Sequence, residues 1–382
     1  LCFIYQVLLN EAPNLAKRMY KDSVIKILTI LLRDNQIQAI NEWPAMYHGG
    51  QSAVNKIVPQ VLKILALPYK HVAYEKELNS LSKELASAEV VTTTLMVMKG
   101  LGRDGIGCGV ELLSRLILNT EGTEKPFAQE FISANGIAIV QKYALLSMDN
   151  PSTMIVDILS LISQLARISK NNYEIIHQLN VYPDLKELIG HRDAGIRSKV
   201  CNLIGNICRH SGFFYDMLLK HELIAAAILC CKDSDRNTRK FACFAVGNAG
   251  FHNEKLYDHL RPCVPLLVDL LKDSEEKTRA NAAGALGNFV RNSNSLCRDL
   301  IMHGALTQLL EVAKNDQGPS QSPRRIALFS IGNLCVYEEC RVVFEDLNIR
   351  QTLEEFKYPY CRDSQVLKYA ARILQKLEAE IS

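Results

Sequence analysis

The strongest constraint on this 382-residue chain is one segment written four times between residues 193 and 346. In each copy an arginine is followed eight residues later by Gly-Asn: Arg197–Asn206, Arg239–Asn248, Arg279–Asn288 and Arg324–Asn333. Successive asparagines lie 42, 40 and 45 residues apart. A period of roughly 40–47 residues, read as helices, marks a stacked helical repeat. One such unit cannot bury its own apolar face, so it packs on its neighbours and the array grows as a solenoid. The fold class that follows is all-α.

The register extends beyond the Gly-Asn pair. An acid stands four residues before three of the arginines: Asp193, Asp235 and Glu275. That spacing on the first turn of a helix predicts a side-chain pair, and the acid also suits the helix N-terminus. Exposed pairs of this kind contribute only a few tenths of a kcal/mol each. They read as a repeated structural clamp rather than a ladder for a ligand. In the fourth copy Ser320 replaces the acid, with Pro319 and Pro323 nearby, which predicts a different leading loop.

Three helices can be traced in each clear copy. The first is short (Phe213–Lys220, Leu296–Met302), the second apolar (Leu223–Cys231, Val264–Leu271), and the third carries Gly-Asn near its end. Three helices in about 42 residues is the armadillo form, whereas a HEAT unit generally has two. Ser163-Gln164, within Thr153–Ile168, marks a degenerate earlier copy, and Gln365–Leu377 suits a terminal cap. Upstream, helices are expected over Phe3–Leu9, Val24–Leu32, Val54–Leu67 and Lys76–Ala88, the last running on to Met98. A glycine-rich linker, Gly100–Gly109, and a helix Val110–Leu118 follow. Thr120–Pro126 is the candidate boundary, separating an irregular helical part, 1–125, from armadillo repeats with a capping helix, 126–382.

Composition narrows the function classes. Lysine and arginine number 44 against 41 acids, so the global charge makes no case for nucleic acid or a membrane surface. The twelve cysteines fall largely inside helical segments, without zinc spacing or the pattern of a small secreted scaffold. They read as small buried hydrophobes in a reducing, cytoplasmic setting. No signal-peptide pattern and no apolar run of about 18 residues is present. The first residue is Leu1 rather than Met, which suggests a piece of a longer protein.

Two motifs imitate catalytic elements. Gly100-Leu-Gly102-Arg-Asp-Gly105 matches G-x-G-x-x-G, but a dinucleotide site needs a strand before it and a parallel sheet around it, and neither is indicated. His191-Arg192-Asp193 imitates a kinase catalytic loop, but Ser198 stands where the metal-holding asparagine belongs and no D-F-G follows. No catalytic residue, metal or cofactor is expected.

A binding surface is a better reading. At 3.6 residues per turn, positions seven and four before each asparagine share its stripe. The stripe reads Lys199/Asn202/Asn206, Phe241/Phe244/Asn248, Asn281/Gly284/Asn288 and Ile326/Phe329/Asn333. An asparagine offers both donor and acceptor, so a row of them can hold the backbone of an extended peptide. Phe241, Phe244 and Phe329 would then supply side-chain pockets, with Asn202 beside them. The competing reading is that each asparagine satisfies a carbonyl near a helix end.

The third-helix pattern resembles the armadillo family, whose third helices end in asparagine and line a concave groove of a right-handed superhelix. Import adaptors of that family carry a tryptophan four residues before the asparagine; here Asn202, Phe244, Gly284 and Phe329 stand there, against import-signal recognition. DRNTRKFACFAVGNAGFHN and KTRANAAGALGNFVRNS, within residues 235–345, resemble the C-terminal armadillo region of Fused-family serine/threonine kinases. The resemblance implies a non-catalytic regulatory and docking region, linked to Hedgehog signalling, to central-pair assembly in motile cilia, or in plants to cytokinesis. It implies cytoplasmic or ciliary placement and protein partners such as a kinesin-like protein or Suppressor of Fused. An architectural array that associates with itself through residues 1–125 is the alternative.

Overall fold

The computed structural model describes residues 24–44, 46, 49–70, 78–119, 126–315, 320–356 and 361–378. The helix expected over Phe3–Leu9 and the boundary segment 120–125 lie outside the described residues. Among the described residues the regular structure is helical throughout, with no strand. They fall into two compact units, divided between Leu165 and Ala166.

In the first unit the longest elements are α1 (Gln51–Ala66), α2 (Arg103–Leu118) and α3 (Ser152–Ile168). The helix α2 starts earlier than Val110, so Gly105, Gly107 and Gly109 are helical and not linker. They are there for contact. A Cβ at Gly105 would meet Leu101 Cβ at 2.9 Å, and one at Gly109 would meet Met98 Sδ at 2.7 Å. The run expected from Lys76 to Met98 is broken at Glu89, whose φ of 51° ends one helix (Leu78–Ser87) and starts another (Val90–Val97). Pro59 sits inside α1 and not in its first turn.

The second unit repeats the three-helix pattern. Tyr215–Lys220 and Cys297–Met302 are the short first helices; Leu223–Cys230 and Val264–Leu270 are second helices whose Leu, Ile and Val side chains enter the core. Full burial of such a side chain contributes about 1.5–3 kcal/mol. The third helices are α4 (Ala194–Ile207), α5 (Arg236–Ala249), α6 (Glu276–Asn288) and α7 (Ser322–Leu334), and the cap is α8 (Ser364–Glu378). Each packs on the next in this order.

Small residues set how closely they approach. Ala242, Ala245, Ala282 and Ala285 are buried, and the repeated glycine lies at the contact itself. A Cβ at Gly205 would fall 2.3 Å from Phe244 Cδ1, and one at Gly287 2.3 Å from Ser330 Oγ. The sequence pair Gly-Asn thus begins with a steric requirement. In an unpacked helix interior, alanine for glycine adds about 1 kcal/mol of stability. Here the methyl at Gly287 would also meet Ser330 Cα at 2.8 Å. Gly287→Ala is therefore expected to destabilise the chain by about 1–3 kcal/mol, seen as a lower thermal midpoint; a higher midpoint would contradict contact between α6 and α7.

Candidate docking face on the third helices

The last carbonyls of an α-helix have no partner within it. At the ends of α4 to α7 the chain tightens. The amides of Arg209, Phe251, Arg291 and Val336 close on the carbonyls of Asn206, Asn248, Asn288 and Asn333, one residue past the glycine. The glycine carbonyl is left for the following repeat. Asn248 Nδ2 donates to Gly205 O at 2.8 Å, Asn288 Nδ2 to Gly247 O at 2.9 Å, and Asn333 Nδ2 to Gly287 O at 3.2 Å. In α8, Lys376 Nζ takes the same role toward Gly332 O. Asn206 donates instead to Asn202 Oδ1, at 3.0 Å. The reading in which the asparagines satisfy helix-end carbonyls is thus observed for Asn248, Asn288 and Asn333.

Two further ties link neighbouring repeats. Four residues past the asparagine, His210 Nε2 lies 3.0 Å from Arg167 O, His252 Nε2 3.1 Å from Cys208 O, and Asn292 Nδ2 3.0 Å from Phe251 O. A carbonyl only accepts, so each imidazole carries its hydrogen on Nε2. Tyr337 OH donates to Val290 O at 2.7 Å from the corresponding level. Within the unit Tyr173, its phenol pushed up to about 12 by burial, stays protonated and donates to Asn206 O at 3.0 Å.

The arginine clamp differs from the expected one. Arg197 Nε and Nη2 grip Asp233 at 2.7 and 2.8 Å, and Arg239 Nε reaches Asp273 at 2.7 Å. The partner is an aspartate of the following repeat, not the acid four residues earlier. Those acids have other work: Asp193 accepts from Gly195 N and Asp235 from Thr238 N, capping α4 and α5. A fork bonded to two carboxylate oxygens across a repeat boundary holds better than an exposed pair on one helix. In the fourth copy Arg324 turns to the carbonyls of Ala313 and Lys314, and Arg325 pairs with Asp363.

The predicted stripe comes out as one face. Lys199, Asn202, Phe241, Phe244, Asn248, Asn281, Asn288 and Phe329 are half-buried between buried neighbours. Asn206 and Asn333 are buried, at 3% and 7% exposure, so the four amides are not equivalent. Asn248 and Asn288 each hold one N–H in the tie to the preceding glycine, and an amide has two. Phe244 lies over Gly205, and Phe329 meets Tyr369 of α8 edge-on at 5.6 Å. Three rings are covered by cations: Phe241 by Lys240, at 4.7 Å, Phe251 by Arg291, at 4.2 Å, and Phe329 by Arg372, at 5.5 Å. Phe251, Arg291 and Arg372 were not in the predicted set. The first two lie past the helix ends, three residues after the asparagine, and Arg372 lies on the cap, which has no Gly-Asn to align.

Neither catalytic imitation forms a site. His191 Nδ1 accepts from Asp193 N at 2.9 Å, a local turn before α4, and Gly102 precedes α2 with its amide directed at Asn55 Oδ1. Among the described residues no group of His, Cys, Asp and Glu could hold a metal, and no helix is long and apolar enough to cross a membrane. The described cysteines are free thiols, nine of them buried. Burial pushes Cys208 and Cys335 up, which keeps them protonated and unreactive. The first unit holds a cleft of about 860 Å³ between α1, α2 and α3, where Lys56, Lys63 and Arg103 face Asp104, Glu111 and Asp157.

These features define a helical-repeat protein of the armadillo/HEAT class. A family model described as a HEAT-like repeat matches residues 236–289. An engineered protein superposes with a TM-score of 0.64 at 14% identity, covering 98% of each chain. A designed armadillo repeat protein superposes with a TM-score of 0.56 at 20% identity over 62% of this chain and 98% of that one. The chain's homologues are Fused-like serine/threonine kinases, over most of its own length and a fraction of theirs. It is 31% identical to serine/threonine-protein kinase TIO of Arabidopsis thaliana, over 97% of this chain and 31% of that one. It is 29% identical to serine/threonine-protein kinase 36 of Mus musculus, over 74% of this chain and 22% of that one.

The inter-repeat clamp has a pH signature. Burial opposes ionisation of the Asp233 carboxyl, but the hydrogen bonds from Arg197 and the Asp235 amide, with the Arg239 charge, hold it below the usual carboxylate range. Its contribution is present above the unfolded value of about 3.9 and is lost as pH falls through the lower folded value. Asp233→Asn is expected to cost about 1.5–3 kcal/mol at neutral pH. Denaturant midpoints measured from pH 7 to 2 should converge with those of the unaltered chain at the acid end; a constant gap would contradict the clamp.

Proposed function

We propose that the chain is a non-catalytic docking or scaffold region of a Fused-like kinase, and that the third-helix face of the second unit holds an extended segment of a partner protein. The observation that carries this reading is the half-buried stripe of Phe241, Phe244, Asn248, Asn281, Asn288 and Phe329. It places amides and aromatic rings at one level per repeat, on a frame the glycine ties keep in register. A designed armadillo repeat protein of similar fold, with a TM-score of 0.56 at 20% identity, was solved in complex with a peptide, which supports peptide binding as a use of such a face. The Fused resemblance supplies the setting: Hedgehog signalling or central-pair assembly in motile cilia, in the cytoplasm or cilium, with a kinesin-like protein or Suppressor of Fused as partner. We keep the sequence boundary at 125/126 as the start of the repeats.

A second reading is an architectural array that pairs with itself. The cleft in the first unit favours it, since lysines, an arginine and carboxylates on one surface suit a rotated copy of that surface. Light scattering on the concentrated chain separates the two, because a strict monomer contradicts self-association.

Phe241→Ala with Phe329→Ala tests the docking face while leaving the amide ties in place. Affinity capture with the chain should recover a partner whose binding falls at least tenfold in the double variant, with the helical circular dichroism unchanged. Undiminished capture by the folded double variant would overturn the reading.

A further inference from the structure

The global charge balance hides a local asymmetry. Residues 195–210, 237–252, 277–292 and 322–337, which run along the third helices and just past them, contain ten lysines and arginines and not one Asp or Glu. The chain as a whole has 44 against 41. Part of this charge is structural: Arg197, Arg239 and Arg325 pair with Asp233, Asp273 and Asp363 at the leading ends of the helices. Lys240, Lys277 and Arg291 remain on the face without a carboxylate, and α8 adds Arg372 and Lys376 at its far edge. We propose that this face takes an acidic, Asp/Glu-rich extended segment of a partner protein; the inference rests on the docking reading above and specifies its ligand.

Three features support an acidic peptide over another anion. The cations are held in place, since Lys240, Arg291 and Arg372 each lie on an aromatic ring and lose little freedom on meeting a carboxylate. The same arrangement covers those rings, so Phe241, Phe251 and Phe329 are poor stacking platforms for the bases of a single-stranded nucleic acid. Asn248 and Asn288 stand in one row between the cations, offering amide groups to a peptide backbone. At the far edge positive charge is crowded. Burial, then Arg372 and Arg341, push Lys376 below the ordinary lysine range, and an arriving carboxylate relieves that crowding. Packed helices lie about 8–10 Å apart and an extended chain rises about 3.3 Å per residue, so each repeat matches roughly three peptide residues.

The test is fluorescence anisotropy on the full chain with a labelled twelve-residue peptide of Glu and Asp interspersed with Leu. A Lys-rich peptide of equal length and a single-stranded RNA serve as competitors. Saturable binding is expected, weakening as salt rises and falling at least tenfold in the Lys240→Glu, Arg291→Glu variant, whose altered side chains lie outside the core. Absence of saturable binding, equal binding of the Lys-rich peptide, displacement by RNA at lower concentration, or indifference to the charge reversal would overturn the proposal. The docking reading fails separately. If the captured partner is lost with Phe241→Ala and Phe329→Ala but retained after charge reversal, the face stands and its acidic ligand does not.

Discussion

A helix leaves its last carbonyls without partners, and in this protein one such carbonyl per repeat is the point on which the next repeat is built. The glycine at that position does two things at once. Its missing side chain lets the following third helix come close, as Phe244 over Gly205 and Ser330 at Gly287 demonstrate. Its carbonyl, released when the chain tightens onto the asparagine carbonyl, accepts the amide of the following asparagine. A buried carbonyl left unbonded costs about 1–3 kcal/mol, so the tie penalises any slip of register between repeats. The arginine fork to Asp233 or Asp273 fixes the leading end of the same helix pair, and His252 or Asn292 the trailing end.

This division of labour leaves a face with a consistent chemistry. Because packing and ties consume the alanines, the glycine and one amide hydrogen, what remains half-exposed is a stripe of amides, aromatic rings and cations. The acids of the third-helix region sit in the leading loops, where they cap helices or grip arginines, and are missing from the stripe. A structural solution to stacking has thus sorted the charges, and the sorting gives the face its sign.

The repeat, its three helices and the stripe were legible from the sequence because they rest on periodicity: a spacing of about 42 residues and a turn of 3.6 residues fix which positions share a face. The direction of the arginines was not. Asp235 lies four residues before Arg239, and nothing in that spacing reveals that Asp273, 34 residues on, offers the better-placed carboxylate. The glycines of α2 misled for a related reason. Residues 100–109 read as a linker by composition, while Leu101 and Met98 require the missing side chains inside a helix. The lysine of the cap, Lys376, fills an asparagine's place without resembling one, so its tie to Gly332 appears only in three dimensions.

The central claim is that the asparagine of one repeat stabilises the helix end of the repeat before it. Native-state hydrogen exchange on Asn288→Ala measures this directly, since Asn288 belongs to α6 and its acceptor, Gly247, to α5. The account predicts faster exchange of backbone amides at the C-terminal end of α5 as well as in α6. Protection of α5 unchanged beside a loosened α6 would contradict it.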